Sequence, residues 1–553
     1  MDFISQSDLR LSLKDNPFVP PKGKCPINDI PPEVLSLIFE IGARSFEDED
    51  SDEEDEAMAT FWNLEEGVDD GVDDGQDDNR SCDSESSSDS TFEYVPPFEL
   101  LVSQVCQHWR TVALNTPSLW TKIAVPPFES APFERVKVLL ERSKGLPIDI
   151  HIDCEPPDDE EEEGGSCSDS EDSELFQPPG SMSFADLDIL MSILVPHISR
   201  WGSIEVSVSC YKHMFVFLSA VSDPSIEGAP QLEVLQLYHH EDQESVTTFP
   251  HPDLVQHFKL FGGVAPRLKS VALWGVHVDW CQEWLSCGSN LLDLELVYQT
   301  EDVRPSWAQF VGILRGAPKL EILSLCSSGP LGAPHDWCSE VIELRSLTDL
   351  VLGFHTPAYA SGLLRRLALP ALKNLTLDFE DDDYTDFVAQ LADPATAAVP
   401  VVLSDGEKGR SLLSGLESLK ISGLPCSDYS VELLYKELDN LKALNLSMAY
   451  LADPFIDLLF PVSGHKDVRL PSLTTLSTTD VPGDKIVKLV RKRRDAGVPL
   501  KAVYMEENDD VSDEAMHWLK GNLETFDFFE GSDDESESIA SIGSESEWEE
   551  VDD

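Results

Sequence analysis

Leu291-Leu292-Asp293-Leu294-Glu295-Leu296, then Leu320-Glu321-Ile322-Leu323-Ser324-Leu325, sets out a phrase with leucine at relative positions 1, 4 and 6. It stands also at Leu232-Leu235-Leu237, Leu268-Val271-Leu273, Leu347-Leu350-Leu352 and Leu372-Leu375-Leu377. Leu416-Leu419-Ile421, Leu441-Leu444-Leu446 and Leu500-Val503-Met505 continue it, Leu473-Leu476 begins another, and Trp201-Ile204-Val206 opens the series. Successive starts from Leu232 to Leu500 lie 36, 23, 29, 27, 25, 44, 25, 32 and 27 residues apart. Positions 4 and 6 fall on one face of a short strand, and position 1 packs beneath the preceding turn. A unit this short cannot bury its leucines alone, so the units must stack. Turns such as Gly228-Ala229-Pro230, Ala265-Pro266 and Gly316-Ala317-Pro318 precede several phrases, and helical stretches at 307–315 and 431–438 lie between them. The leucines are core; recognition falls to outward positions, where Tyr238 and Trp274 are the candidate anchors for a protein target, aromatic side chains carrying much interface energy.

Toward the N-terminus the period changes. Pro31, Pro32 and Glu33 suit the first turn of a helix, and Val34, Leu35, Ile38, Phe39 and Ile41 give it an apolar face too wide for a surface helix, with Gly42 placed to end it. A second helix is expected over 98–114, where apolar residues at 98, 101, 102, 105, 109, 112 and 113 keep helical spacing. Asn115-Thr116-Pro117-Ser118 breaks it, and Leu119, Trp120 and Ile123 follow as apolar plugs. A third helix is expected over 132–144, and Pro147-Ile148-Asp149-Ile150-His151-Ile152-Asp153 alternates like a strand. Three short helices have little interior, so an apolar face of this width calls for a partner helix.

Ile30-Pro31-Pro32-Glu33-Val34-Leu35, with Ile38-Phe39, resembles the first helix of an F-box. Val102-Ser103-Gln104-Val105-Cys106-Gln107-His108-Trp109-Arg110-Thr111-Val112-Ala113 resembles its second half, and Thr116-Pro117-Ser118-Leu119-Trp120 its closing segment. With the strand at 147–153 and Pro196-His197-Ile198-Ser199-Arg200-Trp201, the chain is similar to F-box proteins common in mushroom-forming fungi. The spacing of the leucine phrases is similar to that of leucine-rich repeats, without the asparagine ladder that regularises them. The resemblance implies a Skp-type adaptor, and through it a cullin, as partner of the helical module. Carried over residue by residue, the adaptor-facing candidates are Pro31, Leu35, Ile38, Phe39, Val105, Trp109, Leu119 and Trp120. The chain departs from the family in the long acid-rich loop between the first two helices. Closing ~55 residues instead of ~7 adds about 2 kcal/mol to the entropy of the module.

That loop is one of three acidic tracts. Of 553 residues, 104 are Asp or Glu against 39 Lys or Arg, a formal charge of −65. Residues 47–93 hold 21 acids and one base, 153–174 hold 12 acids and none, and 524–553 hold 13 and none. Poor in apolar side chains, the tracts are expected to be disordered. Several serines in them, Ser51, Ser86, Ser166, Ser168, Ser532 and Ser544 among them, precede an acid by three residues, where phosphate would deepen the charge. Such tracts serve as repelling spacers or as docking strips for basic proteins.

The composition excludes several classes. No stretch has the positive charge to displace phosphate counterions, so nucleic acid is not expected as a partner. Apolar runs are too short to span a bilayer, and no leader peptide is apparent. Eleven scattered cysteines without a CxxC pair suit a reducing compartment, cytoplasmic or nuclear. No phosphate loop, HExxH or GxSxG occurs, so no enzyme activity, cofactor or metal is expected. His239-His240-Glu241-Asp242 looks metal-like but reads as a solvated turn. The cluster Lys485, Lys488, Arg491, Lys492, Arg493 and Arg494 reads as a solvated helix face or a nuclear import signal.

The expected architecture is α+β: a small three-helix F-box-like module, then an irregular α/β leucine-rich-repeat-like solenoid, with three disordered acidic tracts. The boundaries are a flexible N-terminus at 1–24, the module at 25–125 with an insert at 45–97, and a linking helix and strand at 126–153. An acidic linker at 154–180, the repeats at 181–523 and a tail at 524–553 complete the chain. The expected function is substrate recognition for a cullin–RING ubiquitin ligase, with an unknown protein target; the alternative is an acidic scaffold or chaperone for basic proteins.

Overall fold

The computed structural model describes residues 30–47, 97–155, 182–240, 248–281, 284–285, 290–380, 382–393, 411–448, 451–461 and 468–529. The N-terminal 1–24, nearly all of the first two acidic tracts and residues 530–553 of the third lie outside these. The chain divides into two compact units, 1–190 and 191–553.

The first unit opens with helix α1 (Pro32–Glu47), whose start is fixed by Val34 N and Leu35 N donating to Pro31 O, both at 3.0 Å. Gly42 does not end it. A Cβ there would sit 2.3 Å from Phe98 Cζ, so the glycine is where the Phe98 ring lies against the helix. The single helix expected over 98–114 is two, α2 (Phe98–Val105) and α3 (Gln107–Leu114). Cys106 between them is extended, φ −161°, ψ 168°, and its Sγ caps α3 by accepting from Trp109 N at 3.5 Å. Apolar spacing could not show the break, because both halves keep the same face inward. A 3-10 turn (Pro117–Trp120) leads into strand β1 (Lys122–Val125), where Ile123 is a strand residue and not a plug. After α4 (Glu134–Arg142), strand β2 (Ile148–Asp153) runs parallel to β1, pairing Lys122 with Asp149 through Val125 with Ile152. The buried Ile123, Val125, Ile148, Ile150 and Ile152 are strand residues, and Val136, Leu139 and Leu140 are the buried side of α4. The division between units falls within α5 (Phe184–Leu194).

In the second unit every leucine phrase becomes a strand. β3 (Trp201–Val208), β4 (Val234–His239), β5 (Ser270–Trp274), β6 (Asp293–Val297) and β7 (Ile322–Cys326) come first. β8 (Ile342–Glu343) and β10 (Leu367–Ala368) pair only with each other, on either side of β9 (Asp349–Gly353) in sequence. β11 (Asn374–Asp378), β12 (Ser418–Gly423), β13 (Ala443–Ser447), β14 (Thr475–Thr479), β15 (Ala502–Glu506) and β16 (Thr525–Phe529) complete the set. The sheet order β3-β4-β5-β6-β7-β9-β11-β12-β13-β14-β15-β16 follows the sequence, and all its pairings are parallel. Position 4 of each phrase meets position 4 of the next: Leu235, Val271, Leu294, Leu323, Leu350, Leu375, Leu419, Leu444, Leu476 and Val503 stand in one row, all buried. β16 extends that row by Phe526, inside residues read from composition as tail; one inward phenylalanine outweighs the acids around it.

Crossovers between strands carry helices α6 (Tyr211–Val221), α7 (Trp307–Gly316), α8 (Pro357–Leu364), α9 (Thr385–Ala392), α10 (Asp428–Glu437), α11 (Pro454–Asp457), α12 (Gly483–Asp495) and α13 (Asp513–Asn522). Ser306, Thr356, Ser427 and Ser512 cap four of them through their hydroxyls. At the end of β12 the chain passes so close to its neighbour that a Cβ on Gly423 would lie 2.3 Å from Phe379 O, while Phe379 N donates to Gly423 O at 2.9 Å. Gly423→Ala is therefore expected to lower unfolding free energy by about 1–3 kcal/mol. Urea midpoints of the two proteins check this, and an unchanged midpoint would show that the backbone yields.

Candidate functional site

Helix α1 is apolar on two sides, and the first unit fills its core with only one. Leu35 and Phe39 are buried, and so are Leu119 and Trp120. Trp120 Nε1 donates to Ala113 O at 2.9 Å, and Phe39 packs on the half-buried Trp109 with ring centroids 5.1 Å apart. Ser36 and Thr116 hydroxyls bond at 2.9 Å, and Ser118 Oγ donates to Glu40 Oε1 at 2.5 Å, tying the closing turn to α1. Of the adaptor-facing candidates, Leu35, Phe39, Leu119 and Trp120 thus hold the unit together. Trp109 is in between, with a buried Nε1 that has no hydrogen-bond partner among the described residues.

The other side of α1 is open. Val34 is 48% exposed, Leu37 53%, Ile38 46% and Ile41 56%. These four stand at i, i+3, i+4 and i+7, one stripe along the helix. Val105 at the end of α2 is 59% exposed, and Pro31 at the start of α1 is exposed too. Pro31, Ile38 and Val105 were legible as surface candidates; Val34, Leu37 and Ile41 were missed as such. Their signal was the seven-residue stripe itself, hidden in the sequence because Leu35 and Phe39 widen the apolar arc past what one surface needs.

In the second unit Tyr238 and Trp274 stand on the sheet face opposite the leucine rows. Neither is a free anchor. Trp274 is 3% exposed and belongs to a buried cluster with Ala272, Val297, Cys326 and Val351, against which Tyr238, Tyr298 and Phe354 pack, half-buried. Tyr238 meets Trp274 edge-on, centroids 5.1 Å apart. Of the acids on this face, Asp293 and Glu295 on β6 are the two raised by burial. Glu295 is pushed up to about 7 by burial and by the adjacent Asp293, and the Trp274 indole beside it only partly offsets that rise. Asp293 is pushed up to about 6 by burial and Asp349, although it accepts from Ser270 Oγ at 3.2 Å.

No family model matches the chain and no curated protein matches it, so the reading of these surfaces rests on their residues.

His239 is not in a solvated turn. It is buried at the end of β4, its ring 5.1 Å from Tyr211, while His277 stacks edge-on against Phe249 with centroids 3.9 Å apart. Glu241 and Asp242 lie outside the described residues. Among the described residues no group of three His, Cys, Asp or Glu could hold a metal, and no helix is long and apolar enough to cross a membrane. The basic cluster is α12, and it is a solvated face at Lys488, Arg491, Lys492 and Arg494 but not at Arg493. Arg493 is fully buried and donates to the carbonyls of Leu459, Arg469 and Leu470 at 3.3, 3.3 and 2.7 Å. Arg491 and Arg494 lie over Trp518, Lys492 over Phe460, and Lys485 pairs with Asp457 at 2.9 Å. An import receptor reading extended chain would have to unfold this helix.

Buried titratable groups set opposite pH responses. Burial holds His277 down at about 4, so its stabilising neutral state is lost as pH falls from the unfolded value near 6.5 toward 4. Glu295 is raised, so its contribution is present at low pH and is lost as pH rises through about 7. Between neutral pH and pH ~5 each is worth about 2 kcal/mol, with opposite sign. Denaturant midpoints near pH 7 and pH 5 should therefore fall more steeply on acidification in Glu295→Gln than in the wild type, and less steeply in His277→Phe. Parallel shifts in all three proteins would refute the assignment.

Proposed function

We propose that the chain is the substrate-recognition subunit of a cullin–RING ubiquitin ligase, an F-box protein with a leucine-rich-repeat-like target domain. The observation that carries this reading is the open stripe Val34, Leu37, Ile38 and Ile41 on a helix whose opposite side is already packed. A unit that leaves four large aliphatic side chains half in water has a surface to cover. Burying a residual half of each offers on the order of 1 kcal/mol per residue. The sequence resemblance of α1, α2, α3 and the closing turn to an F-box supplies the partner, a Skp-type adaptor that presents a helix groove. Docking so arranged is not chemistry. The receptor raises the local concentration of a target near the ligase, catalysis by proximity.

Target recognition falls to the second unit, whose outward row runs Glu205, Gln236, Ala272, Glu295, Ser324, Val351, Thr376, Lys420, Asn445, Ser477, Tyr504 and Asp527 in unbroken register. Such a mixed, non-repeating row on a repeating frame suits protein recognition, as each strand varies its outward residue without disturbing the leucines beneath.

Leu37→Glu with Ile41→Glu tests the docking half. Both side chains are exposed, so the folded module should keep its melting temperature while losing co-purification with a co-expressed Skp-type adaptor. Leu35→Asp is the contrast, since it loses the adaptor by unfolding α1 from its core. Retention of adaptor by the doubly substituted chain, or none on the wild type, refutes the reading.

A further inference from the structure

The outward face of the second unit is built around an aromatic row. Tyr298 and Phe354, the residues that follow β6 and β9, hold left-handed backbone, φ 50° and 54°. Bulky side chains rarely take that conformation, which Gly275 and Ser327 hold at the exits of β5 and β7. With it their rings join the others: Tyr238, Trp274, Tyr298 and Phe354 follow one another at centroid separations of 5.1, 6.1 and 6.1 Å. Alongside stand carboxylates on the same face. Glu205 is on β3, Asp293 and Glu295 on β6, and Asp349 on β9. Asp293 and Glu295 are two residues apart on one strand, roughly 7 Å along it.

What these four acids lack is a paired cation. Among the described residues no lysine or arginine forms an ion pair with any of these four acids, although such pairs recur at the exposed strand entries, as between Lys269 and Glu233 or Lys442 and Glu417. The one base in the outward row, Lys420, is on β12 beside Asp378. Glu295 Oε1 and Trp274 Nε1 are both buried and make no well-formed hydrogen bond, the indole lying close enough only to offset part of the carboxyl's rise, while Glu295 as a whole is only part-buried. Half-desolvated carboxylates beside ring faces match a guanidinium, which stacks on aromatics and forks to carboxylate oxygens.

We propose that this face binds an arginine-bearing basic segment of the target protein, its guanidinium lying on the half-buried Tyr238, Tyr298 and Phe354 rings, with the buried Trp274 packed behind them, and forking to Glu295 and Asp293. The inference rests on the receptor reading and names the class of target that the second unit takes.

The probe is a capped, fluorescein-labelled octapeptide with two arginines, titrated against the full chain near pH 6 and near pH 8 at fixed salt. Ligand binds the ionised carboxylate, so apparent affinity scales with the ionised fraction of a group at about 7, which gives about tenfold tighter binding at the higher pH. The acidic tracts cannot imitate this, because ordinary carboxylates are ionised throughout that range. Around Glu295, burial drives the Tyr238 hydroxyl and the Cys326 thiol upward, so both stay neutral; Asp293, Glu205 and Asp349 are the remaining acids. His240, 5.8 Å from the Trp274 ring, is the histidine at the rim and is unchanged in the variant, so comparing the two chains isolates the two acids. In Glu295→Gln with Asp293→Asn the affinity near pH 8 should fall about tenfold and its pH dependence should vanish.

Amides of the same shape remove uncompensated charge, so the variant's denaturation midpoint near pH 8 should equal or exceed the wild type's, which separates lost binding from lost folding. Equal binding by both chains, or at both pH values, overturns the proposal and assigns the peptide to the acidic tracts. An equally tight lysine-for-arginine peptide overturns the guanidinium assignment. Adaptor co-purification is read on the same variant and is expected unchanged, so failure of docking and failure of this site are seen apart.

Discussion

One backbone carbonyl per repeat holds the second unit in step. Glu233 O accepts from both Lys269 N and Ser270 N, at 2.7 and 3.1 Å; Lys269 O then accepts from Leu292 and Asp293, and Leu292 O from Glu321 and Ile322. The same forked bond recurs from Glu321 O, Thr348 O, Lys373 O, Glu417 O, Lys442 O, Thr474 O and Lys501 O. Each strand thus enters the sheet pinned to the residue before the preceding strand, and its leucines arrive in register without further instruction. A shift of one residue would turn every inward leucine outward, so this pin and the leucine rows enforce one another. At the far end the bonds run forward, from Gly275 N to Val297 O, Tyr298 N to Cys326 O, Ser327 N to Gly353 O and Phe354 N to Asp378 O. Entry and exit together leave little backbone freedom in the strands. Variation is confined to crossovers and to outward side chains.

The first unit solves the opposite problem. It has too few residues to stack and no repeat to lean on, so one helix is asked to be both core and surface. Leu35 and Phe39 reach Trp109 and the closing turn, and hydroxyl bonds from Ser36 and Ser118 fix the turn against the helix. The stripe at Val34, Leu37, Ile38 and Ile41 contributes nothing to that interior. Polar residues there would leave the unit equally packed. Aliphatic residues at four stations of one stripe are therefore information about what lies outside the unit rather than inside it.

The phrases were legible because their spacing is set by stacking, and stacking is a sequence-wide constraint. Apart from the short pair β8 and β10, strand positions from β4 to β15 follow from leucine positions alone. What could not be read are features decided by a single contact. The break at Cys106 turns on one thiol accepting one amide, and Gly42 marks the seat of the Phe98 ring where a helix end was expected. β16 follows from Phe526 filling the last place in the inward row, against a local composition that argues for tail. The basic run on α12 is a charged surface at most of its positions, yet Arg493 is interior because three carbonyls converge on its guanidinium. Sequence pattern placed the helices of the first unit and the outward face of the sheet. It could not say which of two apolar sides on α1 faces inward, nor that Trp274 lies beneath Tyr238 and Tyr298.

The outward face shows where the fold tolerates expense. Inward rows are leucine almost throughout, and the exposed strand entries alternate charge, with Lys373 and Lys442 both reaching Glu417 at 3.8 and 2.5 Å. Surface pairs of that kind are worth at most about 1 kcal/mol each, but they are cheap to form. On the outward face of β5, β6, β7 and β9 the pattern reverses. Two non-glycine aromatics sit in left-handed backbone, and two carboxylates sit close together, desolvated and without a base. Gly275 and Ser327 hold the same left-handed backbone at the exits of β5 and β7, and Asp480 after β14, so the stacking accounts for the conformation but not for bulky rings in it. Glycine at Tyr298 and Phe354 and serine at the two acids would remove the strain and the charge without touching a leucine. Rings in that backbone and desolvated carboxylates thus come together where the proposed basic segment would dock.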